Sequence, residues 1–321
     1  MGDLVFCLIS GGGSALWPAP VEGTRLADKQ LVTELLLASG ASIDEINAVR
    51  KHLSRIKGGQ LAAALAPATV VSLLLSDVVG DSPDVIASGP TSPDRTTFAD
   101  AWDVIRRHDL DYRVPVPVRE YLEGGMTGQH AETPKPGASL FARVQNEIVG
   151  SNLMALEAAA ECAEALGYRA RIVTSKQTGP TENLAQDIVD HLKPERTSLG
   201  HGPACLLWGG ETTIALTDPH GHGGRNQHLA LLVAKALEGR DDAVFASVGT
   251  DGTDGPTDAA GGVAGAWTVA SGKAADMDID LHIRGYDAYS YLKATGDLLV
   301  TGPTRTNVMD IQILLIGTPA S

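Results

Sequence analysis

The sequence predicts an α/β protein with a largely parallel sheet. Three observations point there. Short apolar runs alternate with stretches of helical periodicity, and several of those runs end in glycine-rich loops. The composition, 43% hydrophobic and 20% charged with a mean hydropathy of +0.01, is that of a globular chain. Aromatics make up 4%, so the expected core is Leu, Val, Ile and Ala. A chain of 321 residues suits two domains. The expected division is 1–195 and 196–321, with a structural boundary near 145 as the alternative.

Val5–Ile9 reads as a buried strand feeding the turn Ser10-Gly11-Gly12-Gly13-Ser14. Helical spacing follows over Leu26–Ser39. Ser42 and Glu45 form a capping box for a second helix running to about Ile56. A short helix (Leu61–Leu65), a strand (Thr69–Leu75) and a helix (Phe98–His108) come next. Residues 113–139 read as loop-rich and as a first candidate domain boundary. Glu147–Gly150, Leu153–Leu166 and Arg169–Thr174 read as a βαβ unit, followed by a helix over Glu182–Leu192 and a linker over Pro194–Pro203. Ala204–Trp208 is a strand, with Thr212–Leu216 as its expected hairpin partner. The remaining expectations are an amphipathic helix over Asn226–Leu237 and strands at Val244–Val248, Leu298–Thr301 and Ile311–Ile316.

The formal charge is 25 − 39 = −14, and a field of that sign repels nucleic acid and anionic membrane. Cys7, Cys162 and Cys205 are scattered and form no metal pair, which suits a reducing, cytoplasmic compartment. No apolar run has the length of a membrane span, and no signal peptide is visible. The expected partner is a small molecule, and self-association stays open.

Ligands of open α/β sheets bind at the carboxyl ends of strands, and those ends are heavily marked here. They carry Ser10 to Ser14, Asp77 and Asp81, Gly209-Gly210-Glu211-Thr212, and Thr250-Asp251-Gly252-Thr253-Asp254. Glycines let backbone N–H groups approach an anion, and hydroxyls add donors. Lys51, His52 and Lys57 belong to a basic cluster with Arg50 and Arg55, read either as helix-end charge compensation or as a phosphate or carboxylate pocket. Arg225 precedes a helix with Asn226 and Gln227, where an anion is favoured and a cation suits phosphoryl transfer. The acidic residues suit Mg²⁺ or a hydroxyl proton, or simply turn capping. His220 and His222 lack a third metal ligand. Neither GxxxxGK[ST] nor GxGxxG is present, which counts against a P-loop enzyme and an NAD(P) enzyme.

Taken together, Leu8 to Leu16, Val49 to Gly59, Ser76 to Asp81, Ala87 to Thr91, Gly209 to Thr212, Gly223 to Gln227 and Thr250 to Gly255 resemble the type II glycerate 2-kinases. The last hundred or so residues resemble that family's MOFRL domain. The resemblance runs collinearly through nearly the whole chain. It implies a Rossmann-like domain plus a smaller α/β domain, and ATP- and Mg²⁺-dependent conversion of D-glycerate to 2-phosphoglycerate. Members often carry the label hydroxypyruvate reductase. An NAD(P)H-dependent reductase and a non-catalytic nucleotide-binding remnant are the alternative readings.

By matching motif, Arg225 would be the catalytic arginine, and Asp251 would contact the glycerate hydroxyl or a metal. Substrate or nucleotide would be bound by Ser10, Gly11, Gly12, Gly13, Ser14, Lys51, His52, Lys57, Asp77, Gly209, Gly210, Glu211, Thr212, Asn226, Gln227, Thr250, Gly252 and Thr253. Asp81 and Asp254 are the expected metal ligands. Family members normally have a further segment before the SGGGSAL stretch, including a lysine thought to act beside the arginine. The expectation is therefore an open sheet edge, an incomplete cleft and a chain that is weakly active or inactive alone.

Overall fold

The computed structural model describes residues 2–193, 202–216 and 219–317, in two compact units, 1–149 and 150–321. The expected 195/196 division lies outside the described residues, as does most of the Pro194–Pro203 linker.

The first unit runs β1 (Leu4–Ile9), α1 (Gly13–Leu16), α2 (Leu26–Ala38), α3 (Ile43–His52), α4 (Gln60–Leu65), β2 (Thr69–Leu75), α5 (Phe98–Arg107), α6 (Val116–Met126) and β3 (Val144–Gly150). Its sheet has the order β1-β2-β3, with β1 and β2 parallel and in register from Leu4↔Thr69 to Ile9↔Leu74. β1 is not the buried strand expected. It is an edge strand, and Leu4, Phe6 and Leu8 are 58%, 61% and 78% exposed. The main core of this unit is helical: Val32, Leu36, Ile46 and Val49 pack with Phe98, Trp102, Ile105 and Leu122. The Ser42–Glu45 capping box forms in both directions and starts α3, which ends at His52, short of the expected Ile56.

Helix α6 corrects the reading of 113–139 as loop-rich. Its prolines fall before and within the first turn, where no helical N–H is lost. Its glycines come in the last turn, and Gly125 lies flush against the Phe98 ring.

The second unit runs α7 (Asn152–Ala165), β4 (Arg169–Gln177), α8 (Thr181–His191), β5 (Ala204–Gly210), α9 (Arg225–Leu237), β6 (Ala243–Gly249), β7 (Gly261–Gly265), α10 (Ala266–Ala274), α11 (Ile279–Arg284), α12 (Ala288–Thr295), β8 (Leu298–Leu299) and β9 (Asp310–Ile316). Its sheet order is β4-β5-β9-β6-β7-β8. It is mixed: β4 and β5 are parallel, and the other neighbours are antiparallel. β5 is buried on both faces. Leu206 and Trp208 join the core beneath α8 and α9, while Cys205 and Leu207 pack with Leu156 of α7.

Two local expectations fail here. The βαβ unit is split, because β3 belongs to the first sheet and β4 to the second. Thr212–Leu216 is not a hairpin strand either. β5 takes β4 and β9 as neighbours, and Thr213 makes an isolated bridge to Pro180. The α/β class itself holds.

Candidate functional site

The second unit carries a pocket of about 560 Å³ at the start of α9. Glu211, Thr212, Gly223, Gly224, Arg225, His228, Asp251, Thr253 and Asp254 are among its lining residues. The mixed sheet builds it. β5 ends at Gly209-Gly210, where Asn152 and the Gln177 backbone leave no room for a side chain. The chain then delivers Glu211. β9 runs antiparallel beside β5 and pairs Asp310 with Gly210, so Asp310 stands next to the start of α9.

Arg225 is forked between these acids. Its Nε and Nη2 donate to Asp310 at 2.5 and 3.1 Å, and its Nη1 donates to Glu211 at 2.8 Å. Asp310 is buried, whereas the Arg225 side chain stays 31% exposed. Burial disfavours the guanidinium charge, but the hydrogen bond and charge of Asp310, with Glu211, outweigh it and raise the Arg225 pKa. Burial likewise raises the Asp310 carboxyl, and Arg225 pulls against that rise.

Asp251 also lines the pocket. Its Oδ1 accepts the Thr253 N–H at 2.9 Å, and Oδ2 has no partner among the described residues. Asp254 is spent differently. Its Oδ1 accepts from the Asn226 backbone N–H at 3.1 Å and its Oδ2 from that of Gln227 at 2.8 Å. It is a buried cap on the first turn of α9, so both its oxygens already accept backbone N–H groups. Burial lifts it to about 6 against the pull of those N–H groups.

Several other expected binding residues hold structure together. Asn226 accepts from the Ser247 hydroxyl, and Gln227 donates to the Asp254 carbonyl and Thr257. Thr212 accepts the Thr181 hydroxyl at 3.1 Å. Thr250 ties Met309 and Val308 together, and Gly252 lies against the Gly302 carbonyl.

The first unit has its own pocket, of about 430 Å³, lined by Ser14, Lys29, Arg50 and Lys57 among others. Of the loop from Ser10 to Ser14, Ser14 alone lines it, followed by Ala15 and Leu16. Gly12 takes a left-handed backbone (φ 78°), and a Cβ on Gly11 would stand 2.5 Å from Asp77 Oδ2. Asp77 accepts the Gly12 N–H, and burial raises its pKa. Ser14 shares a 2.7 Å hydrogen bond with Ser88, and Lys57 Nζ donates to Ser14 and to the Ala87 carbonyl.

Lys51 and His52 do not join this pocket. Lys51 pairs with buried Asp94 at 3.4 Å, and His52 lies 3.2 Å from Glu132 with its other nitrogen on the Ala48 carbonyl. Burial pushes Asp94 up, but Lys51, Thr96 and His52 outweigh it and leave it below the usual range. The cluster that looked like one basic patch therefore divides into a paired buried network and an open pocket. Asp81 sits in a left-handed turn (φ 56°) with its Oδ1 buried and unpartnered.

Sequence reading missed Asp310, 85 residues from Arg225, because no local pattern links them. It also passed over Lys29, whose partner residues come from other elements. His228, one turn after Arg225 on the pocket wall, could have been found from its i+3 spacing.

An arginine held between two carboxylates on a pocket wall suits an α/β phosphotransferase. The comparisons with known proteins agree. The "Domain of unknown function (DUF4147)" family matches residues 1–123 and the MOFRL family matches residues 204–310. A glycerate 2-kinase of Pyrococcus horikoshii is 41% identical, over 98% of this chain and 71% of its own length. A D-glycerate 2-kinase of Thermotoga maritima is 43% identical, over 98% of this chain and 72% of its own. An Agrobacterium vitis relative at 42% identity, over 98% of this chain and 70% of its own, is named a putative hydroxypyruvate reductase. The crystal structure of the Thermotoga maritima glycerate kinase superposes with a TM-score of 0.88 at 42% identity, covering 98% of this chain and 73% of that one. The chain belongs to the glycerate 2-kinase family.

Proposed function

We propose that this chain transfers the γ-phosphoryl group of ATP to the 2-hydroxyl of D-glycerate, giving 2-phosphoglycerate and ADP. The observation that carries the mechanism is the Arg225 fork. A guanidinium has five N–H donors, and three are taken by Asp310 and Glu211. The remaining two, on Nη1 and Nη2, have no partner among the described residues and can meet the oxygens of the transferred group. Their charge stabilises the transition state without reorganisation, because Asp310 and Glu211 have already fixed the side chain.

The hydroxyl oxygen forms a bond to the γ-phosphorus as the bond to the β–γ bridging oxygen breaks. ADP leaves, and the hydroxyl proton passes to the free oxygen of Asp251. Gly223, Gly224 and Thr253 shape the pocket around this centre. The glycerate kinases at 41–43% identity support the choice of acceptor.

Mg²⁺ belongs to the same proposal, since kinases hold it by one or two carboxylates plus substrate phosphates. It would neutralise charge on the nucleotide. Asp81 fits as one such carboxylate, because its buried Oδ1 lacks a partner. Asp254 does not fit, because both its oxygens serve α9. Among the described residues, no group of three or more His, Cys, Asp or Glu side chains is arranged to hold a metal. No helix among them is long and apolar enough to cross a membrane. The free thiols of Cys7, Cys162 and Cys205 support a cytoplasmic location.

The test is ADP formation from ATP and Mg²⁺ with D-glycerate, with the product position assigned by an enolase-coupled readout. Turnover to 2-phosphoglycerate that collapses in Arg225→Ala is the expected result. Turnover unchanged in that variant, or nicotinamide oxidation with hydroxypyruvate in place of phosphorylation, would overturn it.

A further inference from the structure

The pocket at the start of α9 is lined by two kinds of side chain. Arg225 and Asp251 are charged, while Ile214, Pro256, Tyr286 and Ala288 are apolar or aromatic. The charged groups suit a transferred phosphoryl and a small hydroxy acid. An apolar wall gains nothing against either of those, because neither has apolar surface to bury. Tyr286 has a left-handed backbone (φ 51°). That conformation is costly for a bulky side chain and persists only where the surroundings impose it. The glycine-rich loop before Arg225 imposes it here. The Gly221 N–H donates to the Gly285 carbonyl at 2.8 Å, the His222 N–H to Asp287 Oδ1 at 2.9 Å, and the Tyr289 N–H to the His222 carbonyl at 2.9 Å. His228, one turn into α9, packs its ring on Tyr286 with centroids 5.1 Å apart and planes at 30°. It is 3% exposed, and its Nδ1 is buried without a partner among the described residues. Burial pushes its pKa down, although Glu182 pulls the other way, so the ring against Tyr286 is uncharged at neutral pH.

We propose that Tyr286 stacks on the base of the nucleotide, and that His228 is the positioning residue that holds its ring. A nucleobase is a flat, apolar surface with hydrogen-bonding groups at its edge, and an aromatic side chain is its natural stacking partner. The Tyr286 ring is half-buried, so it is both accessible and held. Packing against His228 fixes it before the ligand arrives, and little side-chain freedom is then lost on binding. One loop serves both ends of the pocket, since it leads into Arg225 and also clamps the turn that carries Tyr286. All of these residues belong to the second unit. The choice of a nucleotide as ligand rests on the kinase reading. The held aromatic ring on the pocket wall does not.

Calorimetric titration of the 321-residue chain with ADP, and separately with inorganic pyrophosphate, which lacks the base, tests this. Tyr286→Ala should weaken ADP binding about tenfold and leave pyrophosphate affinity within about twofold. Tyr286→Phe keeps the ring and should restore most of the ADP affinity. His228→Ala should give a smaller loss, again on ADP alone. Tyr286→Asn removes the ring but tolerates the left-handed backbone, so it separates the ring from the fold, and thermal melting checks each variant. ADP affinity unchanged in Tyr286→Ala and Tyr286→Asn overturns the proposal, as does a wild-type chain that binds no ADP. Equal losses of ADP and pyrophosphate also overturn it, because the ring then supports the pocket and not the base. Tyr286-dependent ADP binding without transfer to D-glycerate sinks the kinase reading and leaves the base site standing. Transfer to D-glycerate with the KM for ATP unmoved in Tyr286→Asn sinks the base site and leaves the kinase reading standing.

Discussion

Arg225 in the second unit and Lys57 in the first each line a pocket, but Arg225 meets two carboxylates at 2.5 and 2.8 Å and Lys57 meets none among the described residues. The difference shows in what each charge does. A cation held by Asp310 keeps its direction and its proton in every state, which suits a group that acts on developing charge. A buried cation without a counter-charge is destabilising wherever it stays charged. Lys51 shows that the first unit can build a paired cation as well, so the imbalance around Lys57 is local.

The comparison can be broken at several points. The largest effect is expected from Arg225→Ala, with kcat for glycerate phosphorylation lower by about 10²–10³-fold. Arg225→Lys keeps the charge but loses the fork, and steady-state kinetics should place it between the two. Asp94→Ala leaves buried Lys51 with only the part-exposed Asp84 at 3.9 Å, strips Thr96 and Thr133 of their acceptor, and should cost about 3–5 kcal/mol in urea unfolding. Asp310→Ala should cost a similar amount and should also lower kcat, because it frees the guanidinium to swing.

Lys57→Met should do the opposite. The native pKa, about 7, lies below the usual 10.5, so the native chain binds fewer protons than the unfolded chain between those values. The lysine therefore costs stability in full below about pH 7, and the cost fades as pH rises towards 10.5. The variant should melt higher than wild type at pH 6, by about 1–3 kcal/mol, and the gap should narrow by pH 9.5. A constant gap would mean that Lys57 carries a partner after all. The smallest effect is Ser42→Ala at the α3 cap, about 1 kcal/mol with no change in turnover, which gauges a purely structural loss in the same unit.

Much of the fold was legible locally. The strand Thr69–Leu75, the Ser42–Glu45 cap and the helix stopping before Gly239 are written in residues a few positions apart, because hydrogen bonds within one turn decide them. The site loops were legible for the same reason, and Arg225, Asp251, Glu211 and Thr253 do share one pocket. Helix α6 was hidden by prolines and glycines that look like loop and are harmless at helix ends.

What the sequence by itself determined is the α/β class, most element positions and the loops that carry chemistry, since propensity and periodicity act over short spans. Tertiary structure alone decided which sheet each strand joined, that β9 would bring Asp310 to Arg225, and which lysines would be paired. Those outcomes depend on groups tens of residues apart competing for the same buried space and the same few counter-charges. No local pattern records that competition.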